Sequence, residues 1–173
     1  MKIAVIGYSG AGKSTLAARL GELYRAPVLH LDTVQFLPDW QIRPIEDGRR
    51  IVHNFMQREN WIIDGNYSKF FREERLEQAD MIIFLDFPRF KCLYYAFSRY
   101  IKYRGKTRPD MAVGCNEKFD REFFWWILHK QRTKKYHSQY KQICRKYKDK
   151  LIRLKSRRAA NELLQEIINR EHP

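Results

Sequence analysis

A stretch near the amino terminus, residues 7–15, constrains the fold more than any other part of the chain. Its sequence, GYSGAGKST, fits the pattern G-x-x-x-x-G-K-[ST] and carries one further glycine. Glycines tolerate backbone angles that a side chain penalises, and they allow main-chain N–H groups to close around phosphate oxygens. The lysine adds a positive charge for a β- or γ-phosphate, and the hydroxyl beside it can ligate Mg²⁺. The stretch therefore predicts a phosphate-binding loop, called the phosphate loop below.

The residues on both sides of the phosphate loop support this interpretation. Residues 2–6 are typical of a short buried strand, and the apolar residues after Lys13 recur at the spacing of one helix face. An ordinary glycine-rich turn is the alternative, but strand, loop and helix in register favour nucleotide binding. The residues predicted to hold the nucleotide are Gly7, Ser9, Gly10, Ala11, Gly12, Lys13, Ser14 and Thr15.

Composition points to a single globular domain that meets an anionic partner. The chain has 173 residues and a net charge of +14, and 44% of its residues are hydrophobic. Residues 89–158 hold 22 Lys/Arg against 5 Asp/Glu, so the positive charge is confined to one region. Nucleotide phosphates, nucleic acid or an acidic surface are the partners that such a region favours. Three cysteines without CxxC spacing, no membrane-length apolar run and no room for a signal peptide predict a cytoplasmic protein.

Strand and helix patterns alternate along the chain and predict the fold class. After the first strand, apolar runs of strand length recur four times, and each is followed by a helical pattern. Five such βα units predict an α/β fold, a three-layer α/β/α sandwich around a five-stranded parallel sheet. The four further strands are predicted at residues 28–31, 61–63, 81–85 and 151–154.

Two carboxylates are predicted at the ends of strands, where parallel sheets bind ligands. Asp32 ends the second strand, where it could hold a metal-bound water or accept a hydrogen bond from an acceptor substrate; a helix cap is the alternative. Asp64 ends the third strand and precedes Gly65, as a carboxylate that holds Mg²⁺ through water would. A type I′ turn is the alternative there, but no strand follows directly, so the metal role is favoured.

The basic region contains a predicted lid, residues 99–135. A helix opened by Pro88 runs into a Gly/Pro-punctuated basic loop, and a second, long helix is predicted from near Glu117 to Tyr147. Guanidinium groups stay charged and bind phosphate oxygens in a bidentate fashion, so lid arginines can clamp a transferring phosphoryl group. A solvated basic face is the alternative. The candidates are Arg99, Arg104, Arg108 and Arg132.

These motifs together resemble the adenylate-kinase-like P-loop nucleotide kinases over nearly the whole chain. Three short segments, residues 30–32, 64–67 and 105–111, are similar to the DNA topology-modulation (FlaR-type) branch of that group. The resemblance implies ATP at the phosphate loop, with adenine between Arg99 or Arg104 and the loop after Leu154, near Arg157. It also implies an acceptor between Asp32, the segment 33–60 and Asn66-Tyr67. That segment is short for a full monophosphate-binding domain, which argues against AMP as the acceptor.

Two functional hypotheses follow. The first is an Mg²⁺·ATP-dependent phosphotransferase with an unidentified small acceptor, in which Lys13, Asp32, Asp64, Arg104, Arg108 and Arg132 are catalytic. Ser14 and, through water, Asp64 would hold the metal. The second is a nucleotide-gated nucleic-acid-binding or DNA-topology regulatory protein that uses the basic residues 89–158 and the aromatic residues among them. Those aromatic residues are Tyr95, Tyr100, Tyr103, Trp125, Trp126, Tyr136 and Tyr140.

Overall fold

Five parallel strands form the central sheet, in the spatial order β2-β3-β1-β4-β5. The structure is a computed structural model, and it describes residues 1–171. Trp61, Ile62 and Ile63 of β3 are fully buried, as expected of a strand covered on both faces. The strands are β1 (Lys2–Gly7), β2 (Val28–His30), β3 (Trp61–Asp64), β4 (Met81–Leu85) and β5 (Leu151–Leu154). The predicted sheet is confirmed.

Helices cover both faces of this sheet and complete the predicted three layers. Parallel crossovers are right-handed, which puts α1 on one face and α3 to α7 on the other, and α8 packs against α1 and β5. The helices are α1 (Lys13–Leu23), α2 (Leu31–Gln35), α3 (Ile45–Met56), α4 (Arg72–Gln78), α5 (Arg89–Tyr103), α6 (Arg121–Leu128), α7 (Lys134–Lys146) and α8 (Arg157–Glu171). Within residues 1–171, no helix is long and apolar enough to cross a bilayer.

The strand order fixes where a ligand can bind. From β1 the chain crosses to β2 on one side, and from β3 it crosses over β1 to β4 on the other. Such a change of direction leaves a crevice at the carboxyl ends of the strands, where open α/β sheets bind their ligands. The loops that follow β1, β2 and β3 meet at this crevice.

Two sequence-based boundaries are corrected. The single long helix predicted from near Glu117 is wrong: α6 and α7 are separate helices, joined by a 3₁₀ turn at Lys130–Arg132. Thr133 has extended backbone angles, φ −67° and ψ 160°, which cannot continue a helix. The second strand ends at His30, one residue before its predicted end, because α2 begins at Leu31.

We predict that Asp120→Ala lowers the free energy of unfolding by about 1 kcal/mol, the usual cost of a lost N-cap. The Asp120 side chain caps α6 by accepting a hydrogen bond from the Phe123 N–H at 2.8 Å. Chemical denaturation measures the change. The matched control is Asp120→Asn, which keeps an acceptor oxygen and should remain close to the wild type. Equal loss in both variants would contradict the capping role.

Candidate active site

The phosphate loop has the backbone geometry that its glycines predict. Gly10 and Gly12 lie in the left-handed region, with φ of +82° and +89°. A Cβ at Gly10 would lie 2.3 Å from the Cys92 carbonyl oxygen, whereas the space beside Gly12 is open. The first N–H groups of α1, which begins at Lys13, have no partner inside the helix and carry its positive dipole end. The loop therefore fits an oxygen-rich anion such as a phosphate.

Three side chains from other elements hold the phosphate loop in place. Asn66 accepts a hydrogen bond from the Gly7 N–H at 3.1 Å and donates one to the Gly7 carbonyl at 2.6 Å. Gln131, almost fully buried, accepts from the Ser9 N–H at 2.7 Å, and the Trp126 Nε1 donates to the Ser9 hydroxyl at 3.0 Å. Hydrogen bonds thus connect the phosphate loop to the loop after β3, to α6 and to the 3₁₀ turn that follows α6.

Lys13 lies in the cleft with both candidate carboxylates. Its Nζ donates to the Tyr8 carbonyl oxygen at 3.2 Å. Burial lowers the pKa of Lys13, while the charges of Asp64 and Asp32 oppose that shift. The structure thus brings to one cleft three residues that are separated in sequence and were predicted from different motifs. All three line the cleft, as do Ser14 and Thr15.

Asp32 lies in the first turn of α2 and is paired with a tyrosine. The Tyr67 hydroxyl donates to Asp32 Oδ1 at 2.7 Å. Burial raises the pKa of the Asp32 carboxyl, and the hydrogen bond from Tyr67 partly offsets this by stabilising the charged form. The pair lies beside the segment 33–60, whose Phe36 and Trp40 also line the cleft.

Asp64 is paired with a histidine whose role the sequence did not reveal. His30 Nδ1 lies 3.1 Å from Asp64 Oδ1, and Asp64 is only 4% exposed. Burial disfavours a charge on His30, but the hydrogen bond and the charge of Asp64 outweigh burial and hold the pKa of His30 above its ordinary value. The parallel register of β2 and β3 sets this contact, since it pairs His30 with Asp64.

Two of the four lid arginines line the cleft, and both are bound by one buried acid. Arg99 donates to Glu117 at 2.7 Å, and the Arg108 Nε lies 2.5 Å from the other Glu117 oxygen. Arg108 also donates to Asp110 at 2.6 Å. Glu117 is 6% exposed, so the two guanidinium groups are held in a fixed arrangement by a carboxylate that the sequence did not identify.

The remaining candidate arginines lie in different surroundings. Arg104 follows α5, is exposed, and is not among the residues that line the cleft. Arg132 donates to the Phe87 carbonyl at 2.6 Å and lies 3.3 Å from the Tyr8 ring centroid, outside the cleft lining. Arg157 lines the cleft and lies 4.0 Å from the Tyr95 ring centroid. The roles in nucleotide binding and catalysis that the sequence predicts for these three arginines stay predictions.

The cleft is large, and hydrogen bonds connect the segment 33–60 to the loop between α5 and α6. Its volume is about 1380 Å³. Trp40 Nε1 donates to the Asn116 carbonyl at 3.2 Å, and the Cys115 thiol donates to the Leu37 carbonyl at 3.2 Å. The loop between α5 and α6 therefore contacts the segment 33–60.

Comparisons with solved structures support the fold. The chain is similar to shikimate kinase from Acinetobacter baumannii in complex with shikimate, with a TM-score of 0.51, 16% identity, and coverage of 97% of this chain and 90% of that one. It is also similar to shikimate kinases from Aquifex aeolicus (TM-score 0.49, 16% identity, 98% and 95% coverage) and Bacteroides thetaiotaomicron (0.47, 17%, 98% and 97%). No protein-family model matches the sequence, and the search of curated proteins found no match. The predicted α/β fold class with a five-stranded parallel sheet is confirmed.

We predict that Tyr67→Phe raises the pKa of Asp32, because the carboxylate form loses the hydrogen bond that favours it. Carbon-detected NMR titration of the carboxyl group measures the shift. Tyr94→Phe, on α5 at another part of the cleft, serves as the control and should leave the Asp32 titration unchanged. A lower or unchanged Asp32 pKa in Tyr67→Phe would contradict the assigned hydrogen bond.

Proposed function

We propose that the protein is an Mg²⁺·ATP-dependent phosphotransferase that acts on a small acceptor. One observation carries the proposal: Lys13, Asp32 and Asp64 meet in a cleft whose wall is the glycine-rich phosphate loop. A cation beside a cradle of backbone N–H groups suits phosphate groups, and two carboxylates beside it suit a metal ion and an acceptor. The fold likeness to shikimate kinases fits this proposal but shows the fold alone.

The residues that would hold the nucleotide phosphates lie in one short segment. The N–H groups at the start of α1 and the Lys13 ammonium bind phosphate oxygens, and the Ser14 hydroxyl is a ligand for Mg²⁺. Asp64, fixed by His30, holds the metal through water. Mg²⁺ supplies charge neutralisation of the phosphates. Asn66 and Gln131 keep the loop in position, so little reorganisation is needed when the nucleotide binds.

Asp32 is the group that handles the acceptor. Its carboxylate accepts a hydrogen bond from the acceptor and takes its proton, and a pKa raised by burial makes it a better base than an exposed aspartate. Tyr67 fixes one oxygen of Asp32 and leaves the other for the acceptor. Phosphoryl transfer depends on position and charge, so a separate nucleophilic residue is not required.

The lid arginines complete the charge balance. Arg99 and Arg108 face the cleft and bind oxygens of the transferring phosphoryl group. Arg104 and Arg132 join them only after a rearrangement of the basic lid, and Arg157 contacts the nucleotide base side of the cleft.

We assign the chain to the FlaR-type branch on its three short sequence segments and place it in the cytoplasm on its composition and cysteine pattern.

The nucleic-acid alternative receives less support from the side chains on which it was based. Of the seven aromatic residues named for that hypothesis, Trp125 alone is exposed, at 54%. Tyr140, for example, stacks on Phe84 with a centroid distance of 4.5 Å. Bases stack on exposed rings, so packed rings cannot serve that purpose. The net charge of residues 89–158 still favours an anionic ligand, which the phosphotransferase proposal provides.

We predict that Lys13→Ala abolishes acceptor-stimulated ADP release, with a loss of about a hundredfold or more, the usual effect of removing one donor to a transition-state oxyanion. The measurement is ADP production from Mg²⁺·ATP with a panel of nucleoside monophosphates, nucleosides and small metabolites. Lys91→Ala, which removes an exposed lysine on α5, is the matched control and should retain full activity.

Two results would count against the proposal. The first is ADP production that is equal in Lys13→Ala and the wild type. The second is a wild type that binds Mg²⁺·ATP, is stimulated by no acceptor, and binds DNA with an affinity that falls steeply with salt, which would favour the regulatory alternative.

A further inference from the structure

One arm of the cleft is used by none of the roles assigned so far. It is the part lined by Arg72, the first residue of α4, and by four residues of α7, which are Lys135, Tyr136, Gln139 and Tyr140. Burial raises the pKa of the Tyr140 hydroxyl, and the positive charge of Arg72 opposes that shift. The arm opens into the same cleft as the phosphate loop, so a molecule bound beside Lys13 can extend into it.

Arg72 has no anionic partner in the part of the chain that the structure describes. Its Nε is shielded from solvent and donates no hydrogen bond within residues 1–171. The ion pairs of those residues also leave Arg72 without a carboxylate, although its neighbours in sequence, Glu73 and Glu74, are acidic and exposed. A shielded guanidinium donor without an acceptor costs free energy, which a bound anion recovers.

A second arginine, one turn further along α4, makes this arrangement more unfavourable. Arg75 is fully buried and donates only to carbonyl oxygens, those of Phe70, Gly65 and Tyr67. Burial, with the positive charge of Arg72 as a further cause, lowers the pKa of Arg75 to about 9. The two guanidinium groups thus repel one another, although the charges of Asp64 and Glu74 partly offset the effect on Arg75. An anion on Arg72 would offset that repulsion further.

The walls of the arm are rigid and offer further donors. Tyr140 stacks on Phe84 at 4.5 Å and meets the Tyr8 ring edge-on at 5.0 Å, so its position is fixed. Arg75 fixes the opposite wall, because its three carbonyl partners belong to the loop that carries Tyr67. Lys135 and Gln139 lie on the same wall as Tyr140 and provide an ammonium and an amide.

We propose that Arg72 binds an anionic group, a carboxylate or a phosphate, carried by the acceptor. This inference rests on the proposed phosphotransferase function and adds the class of its acceptor, which is a small molecule with a fixed negative charge. Tyr67 connects the two ends of that molecule, since its hydroxyl donates to Asp32 and its carbonyl accepts from Arg75. The acceptor's reacting group lies at Asp32 and its anion lies at Arg72.

The test measures binding of simple anions to the full chain saturated with Mg²⁺·ADP, which occupies the phosphate loop. Inorganic phosphate and succinate are titrated separately by calorimetry. We expect Arg72→Gln to lower the affinity for the more tightly bound of the two anions by about tenfold or more, as the loss of a charge-assisted bidentate contact does. The anion affinity of Arg72→Lys should lie between those of the wild type and Arg72→Gln. The anion with the larger Arg72-dependent change identifies the group that the acceptor carries.

Two controls make the result specific. Arg50→Gln removes an exposed arginine of α3 and should leave both titrations unchanged. Without added anion, Arg72→Gln should unfold at the same temperature as the wild type or higher, because the repulsion with Arg75 is removed. Unfolding at a lower temperature would show a structural role instead and overturn the inference.

The outcome separates this inference from the proposed function. Equal anion affinity in the wild type and Arg72→Gln, with normal Mg²⁺·ADP binding in both, overturns the assignment of Arg72 and leaves the phosphotransferase proposal standing. Failure of the wild type to bind Mg²⁺·ADP contradicts the phosphotransferase proposal. In that case the same titrations without nucleotide still report whether Arg72 binds anions.

Discussion

The half-buried ammonium group of Lys13 is the group on which the rest of the site depends. A cation partly removed from water is unfavourable unless negative charge compensates it. Asp64, at the end of β3, and Asp32, in the first turn of α2 just after β2, provide that charge. The parallel order of β2, β3 and β1 is what brings those strand ends together. Tyr67 and His30 then hold the two carboxylates in fixed orientations. The strand order that forms the sheet therefore also positions the charged groups of the site.

Sequence patterns predicted much of the fold because they are local. All five strands, the helix opened by Pro88 and the geometry of Gly10 and Gly12 follow from short windows of residues. The division between α6 and α7 was missed because the apolar spacing continues across it, while the extended angles of Thr133 depend on the surrounding structure. The end of β2 at His30 was missed for a similar reason, since helix and strand patterns overlap there.

The parts of the site that were not predicted depend on contacts between distant residues. Gln131 and Trp126 bind Ser9 from more than a hundred residues away, and no spacing rule connects them. The sequence indicated Glu117 only as the start of a helix, yet its carboxylate binds both Arg99 and Arg108 in the lid. A surplus of positive charge in the sequence thus concealed which arginines are already neutralised by an acid and which, like Arg72, are not.

Direct observation of the phosphate loop with nucleotide tests the central claim, that residues 7–15 bind the phosphates of ATP. The measurement is a titration of the ¹⁵N-labelled protein with Mg²⁺·ATP, followed by NMR of the backbone amides. The account predicts that the amides of Gly10, Gly12, Lys13 and Ser14 shift together and saturate at one nucleotide per chain, with smaller changes at the lid. Saturable shifts elsewhere, with the amides of residues 7–15 unmoved, would contradict it.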